Sequence, residues 1–179
     1  MAGGVVLLAV SASVAIHRAL DLTSELKKRG RRVRVLMTHR STALISPLQF
    51  RALSGEPVIH DLFEPTGDAA YQHLESAREA SVFVAAPATA DLIARFAAGI
   101  ADDAVTTAAL AFEGPRLLCP AMNWRMWMNP LTQRNVATLE ALGWKRLGPD
   151  AGELGCGETG EGRLAEVSRI VAGIESLDC

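Results

Sequence analysis

Short apolar runs alternate along this chain with longer stretches in which apolar residues recur at helical spacing. The runs predict four strands, Val5–Val10, Val33–Met37, Val82–Ala86 and Leu117–Cys119. The stretches between and after them predict helices at Val14–Lys28, Thr42–Leu53, Asp91–Gly99, Asp103–Phe112 and Leu131–Leu142. Strands separated by helices form βαβ units. We therefore predict an α/β fold: a single-domain, Rossmann-like (flavodoxin-like), doubly wound parallel sheet with helices on both faces.

Composition limits the classes of function. The 179 residues are 49% hydrophobic, which favours one packed domain over residues 1–179. A net charge of −2 gives no electrostatic reason to expect nucleic acid, and no apolar run reaches the roughly 18 residues of a membrane-spanning helix. The three cysteines fit no metal-ligand spacing, so we expect no metal and a reduced, cytoplasmic protein.

The turn after the first predicted strand is rich in small hydroxyl residues. Ser11 and Ser13 flank Ala12 and precede Val14, where the first predicted helix begins. Backbone N–H groups and the positive dipole end at a helix start attract anions, so both hydroxyls are candidate phosphate donors. Ordinary helix capping is the alternative for both serines, and Thr38 after the second predicted strand has the same two interpretations. The chain has neither a G-x-G-x-x-G nor a P-loop motif.

Small residues also follow the third predicted strand, in Pro87-Ala-Thr-Ala-Asp91. They leave room for a flat ring against the backbone, whose polar edge Thr89 and Asp91 could hydrogen-bond. The alternative is that Asp91 only caps the next helix.

The most unusual segment is Cys119–Pro130. It begins at the end of a predicted strand and contains Asn123, two tryptophans and three methionines. Pro120 prevents a helix from continuing through it, so the chain turns and holds Asn123 at the carboxyl end of a predicted strand. Ligands of α/β sheets bind at that end. A ligand or a partner subunit is expected to cover so much exposed apolar surface.

His73 and Cys156 carry the side chains best suited to chemistry. His73 stands just before a predicted helix and is a candidate general base, although a satisfied surface histidine is the alternative. Cys156 lies in a segment with six glycines, Gly148–Gly162, which predicts a mobile loop able to close over a pocket as a flap at about 148–163. An incidental free thiol is the alternative there. Cys119 is interpreted as a core residue and Cys179 as a terminal bystander.

Five segments, in this order, resemble the homo-oligomeric flavin-containing cysteine decarboxylase family. They are Ala12-Ser-Val14, Gln72-His-Leu74, Ala86–Asp91, Pro120-Ala-Met-Asn-Trp-Arg-Met126 and Gly155–Arg163. The fourth is similar to the family's P-x-M-N-x-x-M signature and the fifth to its A-C-G-D-x-G-x-G-R loop. The resemblance covers nearly the whole chain and implies FMN as the cofactor. Ala12, where the family has glycine, and His17-Arg18 depart from the pattern.

The resemblance also implies roles for individual residues. His73 and Cys156 would be catalytic, and Asn123 and Met126 would bind the substrate. FMN would be bound by residues of the strand-end turns: Ser11, Ala12, Ser13, Val14, Thr38, Thr89, Ala90, Asp91 and Ala121.

The implied reaction explains why a decarboxylase would need a flavin. A cysteine carboxylate has no electron sink until the thiol is oxidised to a thioaldehyde, which FMN can do. His73 would assist that oxidation, and Cys156 would supply the proton for the final reduction. The expected substrate is a small thiol carboxylate, 4'-phosphopantothenoylcysteine, converted to 4'-phosphopantetheine in coenzyme A biosynthesis. The expected partners are further copies of the chain, as a trimer or a dodecamer, and a separate phosphopantothenate–cysteine ligase.

Two other interpretations remain at this point. The chain could decarboxylate a C-terminal peptidyl cysteine to an aminoenethiol, a reaction that does not need the reducing Cys156. It could also be a non-catalytic flavin-binding regulatory subunit, although the chain retains His73 and has no acidic tail.

Overall fold

A six-stranded parallel sheet is the centre of the computed structural model, which describes residues 4–62, 72–155 and 157–178. Its strands are β1 (Val5–Val10), β2 (Val33–Met37), β3 (Val58–Ile59), β4 (Ala80–Ala88), β5 (Arg116–Pro120) and β6 (Lys145–Arg146). Their order, β3-β2-β1-β4-β5-β6, is that of the Rossmann fold. The predicted fold class is confirmed.

Helices cover both faces of the sheet. They are α1 (His17–Lys28), α2 (Pro47–Ser54), α3 (Gln72–Glu79), α4 (Ala90–Ala98), α5 (Ala104–Ala111), α6 (Trp124–Trp127), α7 (Pro130–Ala141) and α8 (Val167–Leu177). Helices α1, α2 and α8 pack their buried residues on one face, and α3, α4, α5 and α7 pack theirs on the other. Because both faces are covered, β1 is buried at every position and its sequence is continuously apolar rather than alternating.

Two predicted boundaries are wrong. Strand β4 does not stop before Pro87 but runs on to Ala88. Proline has no N–H to donate, and it is accommodated because the β4–β5 register shifts between Ala85 and Ala88. The helix predicted from Thr42 begins only at Pro47, where Ser46 caps the first turn and the fixed φ of proline suits the first helical position.

The glycine-rich segment predicted to be a mobile loop instead forms an antiparallel hairpin, β7 (Asp150–Glu153) and β8 (Thr159–Arg163). The Met122 N–H donates to the Gly162 carbonyl over 3.0 Å, and the Trp127 indole donates to the Glu161 carboxylate over 3.2 Å. These contacts fix the hairpin against the segment that follows β5. No helix in the described part of the chain is long and apolar enough to cross a membrane.

Candidate active site

A cavity of about 690 Å³ opens at the carboxyl ends of β1, β4 and β5. The order of the sheet reverses between β1 and β4, and such a switch point is where doubly wound sheets bind ligands. The size falls within the range of about 300–1,000 Å³ typical of cofactor and small-molecule sites. The lining residues come from the three strand-end turns, the start of α1 and the hairpin: Ala12, Ser13, Val14, Ala15, His17, Arg18, Thr89, Ala90, Ala121, Met122, Asn123, Met126, Glu153, Leu154, Gly155, Gly162, Arg163 and Leu164.

The two predicted serines in the turn after β1 differ in position and in hydrogen bonds. Ser13 lines the cavity, and its hydroxyl accepts from the Ala15 N–H over 3.2 Å, which caps the first turn after β1. Ser11 is buried and does not line the cavity. Its hydroxyl donates to the Pro87 carbonyl over 2.7 Å and accepts from the Thr89 N–H over 3.0 Å. Ser11 therefore joins the turns after β1 and β4, and both hydrogen bonds of its hydroxyl are made to backbone groups of the protein itself.

The turn after β4 presents Thr89 and Ala90 to the cavity. Thr89 is the cap of α4, because its hydroxyl accepts from the Leu92 N–H over 3.3 Å. The alternative that Asp91 caps this helix is therefore wrong. Asp91 is exposed, pairs with Arg95 over 3.0 Å and lies outside the cavity lining.

The turn after β5 brings both predicted substrate-binding residues to the cavity. Asn123 caps α6 through its side-chain oxygen, which accepts from the Arg125 N–H over 2.8 Å, and Met126 lies one turn further on. Ala121 is buried against the cavity, and its N–H donates to the Ala88 carbonyl over 3.0 Å. This bond fixes the third turn to the second.

The hairpin forms the wall opposite these turns, through Leu154, Gly155 and Gly162. It packs so closely that a Cβ on Gly162 would lie 2.1 Å from the Met122 carbonyl oxygen. Cys156 lies outside the described residues, between two glycines of this hairpin.

Charged side chains gather at the rim where α1 meets the hairpin. Arg18 and Arg163 both lie within ion-pair distance of one carboxylate, that of Glu166, at 3.6 and 3.3 Å. Gly152 gives Arg163 room to cross β7, since a Cβ there would lie 2.7 Å from the Arg163 Cδ. Glu153 adds a second carboxylate to the lining. The two guanidinium groups at the rim are thus accompanied by two carboxylates, and an anionic ligand would bind there by replacing Glu166 as their partner.

Two further predicted site residues, in addition to Ser11 and Asp91, are not among those that line the cavity. His73 lies in the first turn of α3, at the carboxyl edge of the sheet because α3 runs antiparallel to the strand it precedes. Partial burial lowers the pKa of the His73 imidazole below its ordinary value, since its charged form loses hydration. Thr38 follows β2 at the same edge, and its side chain makes no capping hydrogen bond. Neither residue is among those that line the cavity.

Sequence reasoning missed the polar contacts between the hairpin and the turn after β5. The Glu158 carboxylate accepts from the Asn123 amide over 3.0 Å, the Trp124 indole over 3.1 Å and the Arg125 guanidinium over 3.1 Å. Glu158 occupies the position of the aspartate in the A-C-G-D-x-G pattern, which is the only sequence signal that could have singled it out.

Comparison with known proteins assigns this arrangement to a family. Residues 2–177, nearly the whole chain, match the family model described as Flavoprotein. The chain belongs to the Flavoprotein family. The match includes all three strand-end turns and the hairpin, so the cavity lies entirely within the matched region.

Two curated relatives show how this family member compares in length. The coenzyme A biosynthesis bifunctional protein CoaBC of Vibrio vulnificus is 45% identical over 172 residues, which are 96% of this chain and 43% of that protein. The chain thus spans less than half the length of the bifunctional relatives. A probable phosphopantothenoylcysteine decarboxylase of Streptococcus mutans is 41% identical over 172 residues, covering 95% of this chain and 96% of the relative.

Solved structures agree with the fold. A mutant PPC decarboxylase in complex with pantothenoylaminoethenethiol superposes with a TM-score of 0.86, at 31% identity and 97% coverage of both chains. The FMN-dependent cysteine decarboxylase SpaF superposes with a TM-score of 0.82, at 30% identity and 99% coverage of both chains.

Proposed function

We propose that this chain is an FMN-dependent decarboxylase that acts on the cysteine carboxylate of 4'-phosphopantothenoylcysteine and yields 4'-phosphopantetheine. The observation that carries the proposal is the position of Asn123. It lies in the P-x-M-N-x-x-M segment, lines the switch-point cavity and carries an amide that can donate to a carboxylate. The names of the relatives at 41–45% identity support the same activity.

The cavity fits FMN by size and chemistry. Ala12, Ala90 and Ala121 line it with small side chains that leave space for a flat ring system. The Ser13 turn leads into α1, where the first N–H groups and the helix dipole favour a phosphate. When bound there, FMN would supply the two-electron oxidation that a cysteine thiol needs before its neighbouring carboxylate can leave.

The chain's own residues would bind and orient the substrate. The Asn123 amide would donate to the substrate carboxylate and hold it in one orientation. Met126 and Leu154 would contribute apolar surface around it and exclude water. A carboxylate held among apolar groups loses hydration that stabilises its charge, which favours its departure as neutral CO2.

We assign the base to His73. Its lowered pKa keeps the imidazole neutral at physiological pH, as a group that accepts a thiol proton must be. His73 does not line the cavity of its own subunit, so this assignment requires a neighbouring subunit whose cavity it reaches. Cys156, outside the described residues, keeps its predicted role as the proton donor for the final reduction.

A homo-oligomer is therefore part of the proposal. Large apolar side chains are exposed beside the cavity at Val14, Met126, Met128 and Leu131, and burial against another subunit would remove them from water. The proposed assembly is a trimer or a dodecamer. Light scattering on the purified protein distinguishes these two, and a monomer that is fully active would contradict the role of His73.

The alternative substrate is a C-terminal peptidyl cysteine. Arg18 and Arg163 at the rim favour the phosphorylated small molecule, because a phosphate dianion could replace the Glu166 carboxylate as the partner of their guanidinium groups. The bifunctional relatives also support a ligase partner that makes this substrate, and we propose the cytoplasm as the compartment of both.

Mass spectrometry tests the proposal. The FMN-loaded protein is incubated with 4'-phosphopantothenoylcysteine and, separately, with a peptide that ends in cysteine. We expect the first to lose CO2 alone and the second to remain unchanged. Loss of CO2 and two hydrogens from the peptide, with no reaction of the small molecule, would identify a peptide-modifying enzyme instead. No reaction of either substrate would favour a regulatory subunit.

A further inference from the structure

The Glu158 carboxylate is bound by three consecutive residues of the turn after β5. One of its oxygens accepts from the Asn123 amide and from the Trp124 indole, and the other accepts from the Arg125 guanidinium. The carbonyl of Glu158 accepts from the Leu154 N–H over 2.8 Å, which closes the tip of the hairpin. Glu158 thus connects the tip of the hairpin to the residue assigned to substrate binding.

These contacts determine which end of the Asn123 amide is the donor. The Asn123 oxygen accepts from the Arg125 N–H, and its nitrogen donates to Glu158. A flipped amide would place its oxygen against the Glu158 carboxylate and its NH2 group against a backbone N–H, which is repulsive at both ends. Glu158 therefore favours the one orientation in which the nitrogen, the group that can bind a carboxylate, is held beside the hairpin.

The negative charge of Glu158 is compensated locally. Arg125 donates to it over 3.1 Å and lies over the Trp124 ring, 5.3 Å from the ring centre. This guanidinium reduces the repulsion that a carboxylate near Asn123 would exert on an incoming carboxylate substrate. Glu158 can thus orient the amide with less repulsion of the substrate carboxylate than an unpaired carboxylate would cause.

The close packing of the hairpin makes the orientation rigid. A Cβ on Gly160 would lie 2.7 Å from the Trp124 Cβ, so only glycine allows β8 to approach the turn this closely. The nearby Glu161 carboxylate contacts the hairpin's other indole partner, Trp127, and does not contact Asn123. The hairpin therefore has two carboxylate attachments, of which one contacts the substrate-binding amide.

We propose that Glu158 is a positioning residue, which acts through Asn123 to select the substrate carboxylate. The proposal rests on the proposed function, since it assumes that Asn123 binds that carboxylate. It separates two tasks within the hairpin: Glu158 orients the amide, and Glu161 only holds the hairpin in place.

The test compares Glu158→Ala with the matched control Glu161→Ala. For each variant we measure bound FMN by absorbance, KM for 4'-phosphopantothenoylcysteine from CO2 release, and the inhibition constant of 4'-phosphopantetheine, which lacks the carboxylate. Glu158→Ala is expected to raise KM about tenfold to a hundredfold while the inhibition constant changes less than about twofold. Glu161→Ala should leave the ratio of the two constants unchanged.

Two further variants test whether Glu158→Ala raises KM through Asn123 or by another route. Glu158→Gln keeps an oxygen that can accept from Asn123, so its KM should return to within about threefold of the wild type. In an Asn123→Ala background, Glu158→Ala should raise KM no further, because the amide it orients is gone. An equal rise in KM and in the inhibition constant would overturn the proposal, as would an unchanged KM in Glu158→Ala. A wild type that releases no CO2 would refute the proposed function instead.

Discussion

The Ser11 hydroxyl and the Thr89 N–H form a hydrogen bond of 3.0 Å that joins the turns after β1 and β4. The same hydroxyl donates to the Pro87 carbonyl, so one buried side chain satisfies two backbone groups next to the cavity. Ser11→Ala removes both side-chain bonds: the Thr89 N–H loses its acceptor, whereas the Pro87 carbonyl keeps the backbone N–H of residue 11 at 3.3 Å. We expect a loss of about 1–3 kcal/mol in the free energy of unfolding, measured by urea denaturation.

Ser176→Ala is the control for that substitution, because Ser176 is an exposed serine of α8 that bonds only to a carbonyl in its own helix. Its unfolding free energy should stay within about 0.5 kcal/mol of the wild type. A Ser11→Ala protein as stable as Ser176→Ala would show that water replaces the lost hydroxyl.

Ala90→Leu tests whether the cavity is the cofactor site. Leucine is a good helix former, so α4 should persist, while the larger side chain enters the space beside Thr89 and Ala121. FMN affinity, measured by flavin fluorescence, should fall at least about tenfold because the ring can no longer lie against the backbone. Ala98→Leu, at an exposed position of the same helix, should bind FMN as tightly as the wild type.

His73→Asn tests the assigned base. The protein should remain yellow with FMN but lose CO2 release, because asparagine cannot accept the thiol proton. His39→Asn, at an exposed histidine, should keep full activity. Wild-type activity in the His73 variant would remove this residue from the mechanism.

The pH dependence follows from the direction of the His73 shift. Burial lowers its pKa, so the neutral, active form persists below the ordinary value of about 6.5 and is lost only as the pH falls further. The value of kcat/KM should therefore stay constant from about pH 8 to about pH 6.5 and decline below it. A decline that begins above about pH 7 would contradict a neutral His73 as the base.

Gly162→Ala tests whether the hairpin must pack against the turn after β5. The added Cβ would lie 2.1 Å from the Met122 carbonyl oxygen, which belongs to the backbone, so β8 would have to move and its bond to Met122 would break. Displacement should cost about 1–3 kcal/mol and speed proteolysis within residues 150–163 by about tenfold or more, with the sheet intact.

Gly173→Ala provides the matched control, since a Cβ at this position of α8 meets its nearest atom at an ordinary 3.4 Å. Alanine favours a helix by about 0.5–1 kcal/mol over glycine, so this variant should be slightly stabilised and cleaved no faster. Equal proteolysis rates for the two variants would show that the hairpin does not need this close packing to stay closed.

The sequence predicts the parts of this fold that depend on burial. Strand β1 and the central part of β4 are covered on both faces, and their continuous apolar runs make them easy to recognise. The two-residue edge strands β3 and β6 give no such signal, and β6 is exposed. The sequence does not predict the hairpin, because its strands consist mostly of glycine and charged residues, whose pairing depends on tertiary contacts rather than on alternation.

The residues of the candidate site can likewise be predicted only where a local sequence pattern indicates them. Ser13, Thr89 and Asn123 were predicted because each follows a strand, and parallel strands end at the same edge. The bonds of Ser11 to the next turn and of Glu158 to Asn123 span 78 and 35 residues of sequence, and local pattern carries no information about either. Asp91 follows β4 as Thr89 does, but the turn of α4 directs it to Arg95 and away from the cavity.

The cavity has two walls of different origin. The strand-end turns are fixed to the sheet by the bond between Ser11 and Thr89 and by that between Ala121 and Ala88, whereas the hairpin belongs to a separate two-stranded sheet that contacts them from one side. Residues 150–163 can consequently be exchanged for those of a relative without rebuilding the central sheet. Such an exchange would alter one wall of the cavity and leave the three strand-end turns in place, so it could change substrate selectivity independently of cofactor binding.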